Sequence, residues 1–184
     1  MSSRDVLDSE DVGRTLRRVA HEIVEKNPDL SEVAVVGIHT RGVVIARRIH
    51  ELLLEMTGTD LPLGEIDISF YRDDLGSRSA DGQPVVHATR LDFPLEERTI
   101  ILVDDVLFTG RTVRAGIEAL FDYGRPARIQ LAVLCDRGHR ELPIRPDYVG
   151  KNLPTSRHER VAVSLSETDG SEGVSISSPV EVVE

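Results

Sequence analysis

The sequence predicts an α/β fold with a central parallel sheet. Three short and almost wholly apolar runs support this, namely VAVVGI (33–38), TIILVDDV (99–106) and ARIQLAVLCD (127–136). Such runs are typical of parallel strands that are covered on both faces. The repeated order of strand, loop, helix and strand produces right-handed crossovers in such a sheet. We therefore expect a right-handed parallel sheet flanked by helices.

The flanking helices are indicated by apolar residues that recur three or four positions apart. The first helix is predicted over 9–26, with Ser9 as the N-cap. The second is predicted from about Gly42 to Met56. The third runs from Arg111 to Tyr123 and should end at Gly124, because glycine commonly follows the last helical turn.

Between the second and third helices the pattern changes. Residues 64–72 alternate apolar Ile66, Ile68 and Phe70 with polar residues, which predicts a strand with one wetter face. Residues 73–84 have no periodicity and are rich in Gly, Ser and Asp. A loop of this length inside a compact domain is usually functional or disordered.

The remaining segments are assigned more coarsely. Residues 84–91 (PVVHATRL) read as the returning arm of a ribbon, and residues 137–168 as short strands and turns that form a lobe beside the sheet, together with N-terminal residues. The tail from about Asp169 is weakly specified. The length of 184 residues fits one domain over 1–184.

Composition excludes several classes of protein. The net charge of −10 argues against a protein that coats nucleic acid nonspecifically, because such binding depends on Lys and Arg. The single cysteine, Cys135, excludes an intramolecular disulfide and a Cys-rich zinc site, and its apolar strand favours a core position. No apolar stretch approaches the roughly 18 residues that span a bilayer. We therefore expect a cytoplasmic protein without a membrane segment.

Two adjacent carboxylates, Asp104 and Asp105, follow the apolar part of one strand. Ligands of open parallel sheets bind at the carboxyl ends of the strands, so a site is expected there. A sugar diol accompanied by Mg²⁺ would compensate both charges. Residues 109–112 (TGRT) then open a helix, whose first N–H groups favour a phosphate. The alternative is that the aspartates cap the helix and the loop is an ordinary turn.

The string ILVDDVLFTGRT resembles the signature of the 5-phosphoribosyl-1-diphosphate (PRPP) site in type I phosphoribosyltransferases. The resemblance implies that fold, with a small hood and a flexible lid loop. It implies that Asp104 and Asp105 bind the ribose hydroxyls, and that Mg²⁺ is bound mainly through PRPP, with either aspartate as a candidate ligand. The implied PRPP-binding residues of this segment are Asp104, Asp105, Val106, Leu107, Phe108, Thr109, Gly110, Arg111 and Thr112.

A second turn, Thr40-Arg41-Gly42, also lies between an apolar strand and a helix. Alone, this sequence could be an ordinary turn that connects the strand to the helix. Beside the PRPP signature it resembles the diphosphate-binding loop of the family, which is often held by a non-proline cis peptide. The resemblance thus implies Asp104, Asp105 and Arg41 as catalytic residues.

The segment of about 72–90 resembles the lid of these enzymes, which closes over PRPP and excludes water. Arg72, Asp73 and Asp74 are the candidate lid contacts. The alternative for each is a solvated charge.

Downstream segments resemble the PyrR family, which are pyrimidine operon regulatory proteins with uracil phosphoribosyltransferase activity. The segments are GRPARIQLAVLCDRGHRELPIRPDYVGKNLPTS, RRVAHEIVEKN, VGIHTRG and GEIDISFYRDDL, and the resemblance covers about residues 5–168. It implies formation of UMP and diphosphate from uracil and PRPP. It also implies that Asp136, Arg137 and Ile144 frame the base.

The second activity implied by the resemblance is regulation of pyrimidine biosynthesis genes through leader mRNA, in response to UMP or UTP. The alternatives are an RNA-binding attenuation regulator with vestigial catalysis and a purine-type phosphoribosyltransferase. The family also implies a homo-oligomer, a dimer or larger. The candidate RNA-binding residues are Arg14, Arg17, Arg18, His21, His139, Arg140, Arg145 and Lys151.

Overall fold

The computed structural model describes residues 2–72 and 87–178, and the structural statements that follow refer to these ranges. A short 3₁₀-helix lies at Leu30–Glu32. The strands and α-helices in chain order are β1 (Ser2–Leu7), α1 (Ser9–Lys26), β2 (Val33–Ile38), α2 (Arg41–Thr57), β3 (Leu63–Ile66), β4 (Thr99–Leu107), α3 (Arg111–Tyr123), β5 (Arg128–Asp136), β6 (Tyr148–Asn152), β7 (Arg160–Ser164), α4 (Ser166–Asp169) and β8 (Gly173–Ser178).

Five strands form a parallel sheet in the order β3-β2-β4-β5-β6, which confirms the predicted fold class. Successive strand residues point to opposite faces. Ile101 and Val103 of β4 therefore pack with α1 and α2, whereas Ile100 and Leu102 pack with α3. Because all five strands run the same way, their carboxyl ends share one edge, where loops from β2, β4 and β5 can meet.

A second, antiparallel sheet has the order β1-β8-β7, and we call it, together with α4, the hood. Val163, Val174 and Ile176 of this sheet bury their side chains in the same core as α1 and α2. Two boundaries predicted from sequence are corrected. β6 pairs with β5 in the parallel sheet, and the tail after Asp169 supplies β8, the central strand of the hood.

The strand predicted over 64–72 is shorter than expected. β3 ends before Asp67, whose side chain accepts hydrogen bonds from the backbone N–H groups of Ser69 at 2.8 Å and His87 at 2.5 Å. These bonds turn the chain away from the sheet. Phe70, predicted to face the core, is 83% exposed as a result.

Two smaller details also differ from the sequence prediction. The N-cap of α1 is Asp8 rather than Ser9, because the Asp8 carboxylate accepts a hydrogen bond from the backbone N–H of Asp11. In the described part of 84–91, the predicted ribbon arm consists of one antiparallel bridge, from Arg90 to β3.

Cys135 is fully buried in β5, so its predicted place in the core is confirmed. Burial raises the pKa of its thiol to about 12, which makes it a poor nucleophile. Among the described residues, no helix combines the length and the apolar character that crossing a membrane requires.

Candidate active site

The carboxyl end of β4 holds the two adjacent carboxylates. Asp104 is 5% exposed, and its Oδ1 accepts a hydrogen bond from the backbone N–H of Asp105 at 3.0 Å. Its Oδ2 is buried without a hydrogen-bond partner among the described residues. Burial, and then the charge of Asp105, raises the pKa of Asp104 well above its usual range. Oδ2 of Asp104 can therefore still accept a hydrogen bond from a ligand.

The chain turns from β4 into α3 at Gly110. This residue has a φ of 93°, which glycine adopts without the steric penalty that a side chain brings. As the N-cap of α3, Gly110 has no side chain to accept hydrogen bonds from the first helical N–H groups. Thr109 Oγ1 accepts one long hydrogen bond, at 3.3 Å, from the N–H of Arg111. The start of this 13-residue helix thus has the donors and the dipole that favour a phosphate.

A cavity of about 640 Å³ opens over the start of α3. Its volume lies within the range of small-molecule sites, about 300–1,000 Å³. Its walls come from the loop after β4, from the start of the loop after β5 and from the approach to β7. In a chain of net charge −10, these walls concentrate positive charge. The charged side chains that line the cavity are those of Arg72, Arg111, Arg137, Arg157, Arg160 and Glu159, and His158 also lines it.

The loop after β2 lies directly beside the end of β4. Its His39–Thr40 peptide bond is cis, and α2 begins at Arg41. A Cβ atom added to Gly42 would lie 2.5 Å from the carbonyl oxygen of Val103, so the backbones of α2 and β4 are in contact. The predicted diphosphate loop and the predicted PRPP loop are therefore neighbours at one edge of the sheet.

Arg41 is held by a carboxylate of the hood. Its Nε donates to Asp169 Oδ2 at 3.1 Å, and its Nη2 donates to Oδ1 at 2.6 Å. The hydrogen bond from Arg41 is the main reason that the pKa of Asp169 falls to about 2. The pKa of Arg41 is raised by these same hydrogen bonds and, to a smaller extent, by the charge of Asp105. Sequence analysis gave Asp169 no role, since it lies in the tail.

His39, one residue before Thr40, is also part of an unpredicted contact. Its ring stacks on that of His87 with centroids 4.5 Å apart, and its Nε2 lies 3.2 Å from Glu65 Oε2 without hydrogen-bond geometry. Burial lowers the pKa of His39. The imidazole is therefore neutral at neutral pH and adds no charge to the loop.

Arg137, predicted to frame the base, forms part of the cavity wall. Its guanidinium lies 4.1 Å from the centroid of the Phe108 ring, and its Nη2 donates to the carbonyl oxygen of Ser156 at 2.9 Å. Its Nε is buried and has no hydrogen-bond partner among the described residues. Burial lowers the pKa of the group. Arg137 thus keeps an unused donor at the cavity.

The other two base candidates lie against the loop of residues 108–112 that precedes and opens α3, which we call the phosphate loop: Ile144 directly and Asp136 through Arg140. Ile144 packs on Gly110, where an added Cβ would lie 3.2 Å from Ile144 Cδ1. Asp136 accepts a hydrogen bond at 2.5 Å from Arg140, which also donates to the carbonyl oxygen of Phe108 at 2.9 Å. Arg140 was predicted to bind RNA, but its side chain is only 22% exposed. Its hydrogen bonds connect Asp136 to the backbone of Phe108 and so stabilise the loop after β4.

The residues predicted to bind RNA do not form one group. Arg14, Arg17, Arg18 and His21 are on α1, and Arg18 donates to backbone carbonyls of β6, the strand that carries Lys151. His139 lies elsewhere, with its Nε2 2.6 Å from the carbonyl oxygen of Thr155. Arg145 is exposed in the loop before β6. The structure therefore divides the set between an α1–β6 face and the loop between β5 and β6, which carries His139, Arg140 and Arg145.

The three arginines on α1 have carboxylate partners. Their side chains are nevertheless 49% to 67% exposed, and exposed ion pairs are worth about 0–1 kcal/mol. Such partners can be exchanged for phosphates at little cost. The pairs are Arg14 with Glu10 and Asp11, Arg17 with Glu55, and Arg18 with Glu22.

The predicted lid is only partly within the described residues. Arg72 lines the cavity, whereas Asp73 and Asp74 lie outside the described ranges. Sequence analysis also missed Arg157 and Arg160. The density of charge in RHER (157–160) was the available signal, but nothing in it indicated that these side chains face the phosphate loop.

Comparison with known proteins identifies close relatives. The phosphoribosyl transferase domain family matches residues 2–168. The bifunctional protein PyrR of Roseiflexus sp. (strain RS-1) is 56% identical over 170 residues, which is 92% of each chain. The bifunctional protein PyrR of Deinococcus radiodurans is 52% identical over 177 residues, 96% of each chain.

Solved structures with the same fold are more distant. A hypoxanthine phosphoribosyltransferase from Staphylococcus aureus has a TM-score of 0.68 at 18% identity, covering 98% of this chain and 94% of that one. The Trypanosoma cruzi enzyme in complex with the product IMP has a TM-score of 0.70 at 17% identity, covering 95% and 90%. At these identities the likeness extends to the fold alone.

Proposed function

We propose a function from the premise that this chain belongs to the phosphoribosyl transferase family and to its bifunctional PyrR group. The protein converts uracil and PRPP to UMP and diphosphate. It also regulates pyrimidine genes through RNA. One observation carries the enzymatic part. The buried carboxyl group of Asp104, whose Oδ2 has no hydrogen-bond partner among the described residues, lies a few residues before a helix start suited to phosphate. A ribose 5-phosphate carries hydroxyl donors and a phosphate at the corresponding ends.

In this reaction N1 of uracil replaces diphosphate at C1′ of the ribose. As the bond from C1′ to the leaving oxygen breaks, positive charge develops on the ribose, and the proton of N1 passes to solvent. Asp104 and Asp105 would accept hydrogen bonds from the 2′ and 3′ hydroxyls and stabilise that charge. The N–H groups at the start of α3, with the hydroxyls of Thr109 and Thr112, would hold the 5′-phosphate.

The diphosphate would be held at the start of α2. There Thr40, Arg41 and Gly42 offer backbone N–H groups and one guanidinium, beside the Asp pair. These contacts fix the leaving group in line with C1′, so that the protein contributes chiefly by positioning the reactants. Val106, Leu107, Phe108 and Arg111 complete the wall of the loop.

Mg²⁺ fits this site through the substrate. Within the described residues no group of three or more His, Cys, Asp or Glu side chains is arranged to hold a metal ion. The unpartnered Oδ2 of Asp104 and the neighbouring Asp105 are instead candidate ligands beside PRPP oxygens. Bound there, Mg²⁺ would offset the negative charge of the diphosphate.

The base would lie in the cavity between Arg137 and the loop after β4. The unused Nε donor of Arg137 suits a carbonyl oxygen of uracil, and Asp136 and Ile144 shape the same wall through Arg140 and Gly110. Arg72, Asp73 and Asp74 would close over PRPP as lid residues. Closure would exclude water and protect PRPP from hydrolysis.

The enzymatic proposal predicts that the purified protein forms UMP from uracil, PRPP and Mg²⁺, measured by chromatography of radiolabelled uracil. Hypoxanthine and guanine serve as the matched alternative substrates and should give no nucleotide. Absence of UMP with retained RNA binding would favour a regulator with vestigial catalysis. Conversion of either purine in place of uracil would favour the purine-type enzyme.

The RNA-binding surface is proposed on α1 and β6, where Arg14, Arg17, Arg18, His21 and Lys151 lie. An acidic protein can bind a folded RNA loop if its exposed cations lie on one face. Arg18 joins the two elements through its hydrogen bonds to β6. His139 and Arg145 lie outside this group, and the buried contacts of Arg140 argue for a structural role.

Replacing Arg17 and Lys151 together with alanine should weaken UMP-dependent binding of leader RNA by about tenfold and reduce its salt dependence. Gel shifts at several salt concentrations, with and without UMP, measure both quantities. Arg114→Ala is the matched control, since Arg114 is an exposed, ion-paired arginine on α3, across the sheet from α1. Equal weakening in the control, or no binding of RNA by the wild type at low salt, would contradict the proposed surface.

Assembly and location are further parts of the proposal. We expect a homo-oligomer, which would place basic α1–β6 faces of several copies on one RNA. A cytoplasmic location is supported by the free thiol of Cys135, which suits a reducing compartment.

A further inference from the structure

We infer that Asp169 of the hood is a positioning residue for Arg41, and that it orients this guanidinium toward the diphosphate of PRPP. The inference rests on the proposed function and extends it to a residue outside both loops that resemble the family. The first observation that supports it is the geometry of the contact between the two side chains. Asp169 meets Arg41 through two hydrogen bonds, at 2.6 and 3.1 Å, between the two oxygens of the carboxylate and one edge of the guanidinium.

The carboxylate is itself fixed by the hood. Asp169 Oδ2 accepts hydrogen bonds from the backbone N–H of Leu165 at 2.9 Å and from Thr168 Oγ1 at 2.8 Å. Leu165 is fully buried in the core that joins the hood to α1 and α2. Asp169 lies at the surface, but these two hydrogen bonds within the hood fix its carboxylate independently of Arg41.

The pairing leaves donors of Arg41 for a ligand. Asp169 uses Nε and one hydrogen of Nη2, and a guanidinium has five N–H donors in a fixed fork. The charge of Asp105 also raises the pKa of Arg41, so the guanidinium lies within electrostatic range of the Asp pair. Bidentate pairing fixes the plane of the guanidinium and reduces the entropy that it loses when it binds an anion.

A second arginine of α2, also bound to carboxylates near the hood, supplies the contrast. Arg48, two helical turns further along α2, donates to Glu167 at 2.6 and 2.8 Å and to Glu172 at 2.7 and 2.9 Å. These bonds attach the hood to α2 away from the diphosphate loop. The hood is thus attached to α2 independently of Asp169, so removal of the Asp169 charge should leave it in place.

The test is Asp169→Asn, with Glu167→Gln as the matched control. In Asp169→Asn the side-chain oxygen can still accept from Leu165, from Thr168 and from Arg41 Nε. The amide NH₂ then takes the place of Oδ1, and it cannot accept the 2.6 Å hydrogen bond from Arg41 Nη2. Binding of magnesium diphosphate, measured by calorimetry, should weaken by about tenfold, and the KM for PRPP should rise by a similar factor. The KM for uracil and the affinity for UMP should change less than twofold. Glu167→Gln should leave all four quantities unchanged.

Two further variants separate positioning from a general structural role. Asp169→Glu keeps the charge and should restore at least part of the diphosphate affinity. Arg41→Lys combined with Asp169→Asn should bind diphosphate no worse than Arg41→Lys alone, because Asp169 acts through the guanidinium.

The outcomes distinguish this inference from the proposed function. A wild type that binds magnesium diphosphate but forms no UMP would contradict the proposed enzyme and leave the role of Asp169 supported by its variants. Unchanged or tighter diphosphate binding in Asp169→Asn would overturn the inference, since tighter binding would mean that Asp169 competes with the ligand. Equal losses in Glu167→Gln, or a wild type that binds no diphosphate, would overturn it too.

Discussion

Replacing Asp104 with asparagine should lower UMP formation by about 100-fold or more, and at the same time raise the thermal stability of the free protein. Activity falls because Asn presents an NH₂ donor where the ribose hydroxyls need an acceptor. Stability rises because the wild-type carboxyl is 5% exposed, with Oδ2 unpaired among the described residues. An ionised group in that position is costly, whereas an amide carries no charge.

The pH dependence of this stabilisation follows from the direction of the pKa shift. The pKa of Asp104 is raised in the folded state above its ordinary value of 3.8. The folded state therefore binds the proton more tightly than the unfolded state. The stability that this proton contributes is complete below about pH 4 and is lost as the pH rises through the folded-state pKa. The advantage of Asp104→Asn over the wild type should thus be small in acid and grow toward neutral pH.

Melting curves from about pH 4 to pH 8 measure this difference, alongside assays of UMP formation. A gain of about 2–4 °C at pH 7 corresponds to about 1 kcal/mol for a domain of this size. Asp105→Asn is the control, since it removes a carboxylate from the same diol site at a half-buried position. It should lose activity without a comparable gain in melting temperature. A destabilised Asp104→Asn at pH 7 would contradict the interpretation of Asp104 as an uncompensated acid.

Replacing Gly42 with alanine should lower both activity and stability. The added Cβ would lie 2.5 Å from the carbonyl oxygen of Val103 and 3.2 Å from the Cα of Asp104. Both neighbours are backbone atoms, so the start of α2 must move away from β4. Overpacking of this kind costs about 1–3 kcal/mol, and a shift of about 1 Å at a reacting centre can cost about 100-fold in rate.

Gly13→Ala is the matched control for this substitution. Gly13 is exposed in α1 and has no atom within 4 Å of its added Cβ, so alanine should stabilise the helix by about 1 kcal/mol. Melting temperatures and the KM for PRPP distinguish the two variants. A Gly42→Ala protein with unchanged melting temperature and KM would show that the contact between α2 and β4 does not hold the diphosphate loop in place.

The PRPP loop could be predicted from sequence because its chemistry is contiguous. Asp104, Asp105 and Gly110 lie within one short segment, and the strand before them has a clear apolar pattern. The strands β2, β4 and β5 could be predicted for the same reason, since each of them contains a continuous buried run. Local patterns of this kind need no knowledge of distant contacts.

The contributions of the tail could not be predicted in this way. β8 buries only Val174 and Ile176, and its alternation lies among serines and glycines that resemble a linker. Asp169 acts on Arg41 from a distant part of the chain, so no sequence spacing connects them. The prediction that Phe70 faces the core was wrong for the opposite reason. The residues around Phe70 do alternate between apolar and polar. The chain turns at the hydrogen bonds to Asp67, however, so the strand ends before Phe70 and its side chain is exposed.

The central position of β8 in the hood sets an order of events during synthesis. β1 is made first, yet its strand partner is β8, with Arg4 opposite Ile176. A chain that stops before β8 contains all five strands of the parallel sheet but leaves β1 unpaired, and the edge of β1 is then open to pairing with other chains. The hood sheet therefore forms only after β8 has been made, and chains that are cut short or stalled before Gly173 would be more prone to aggregate than chains that contain β8.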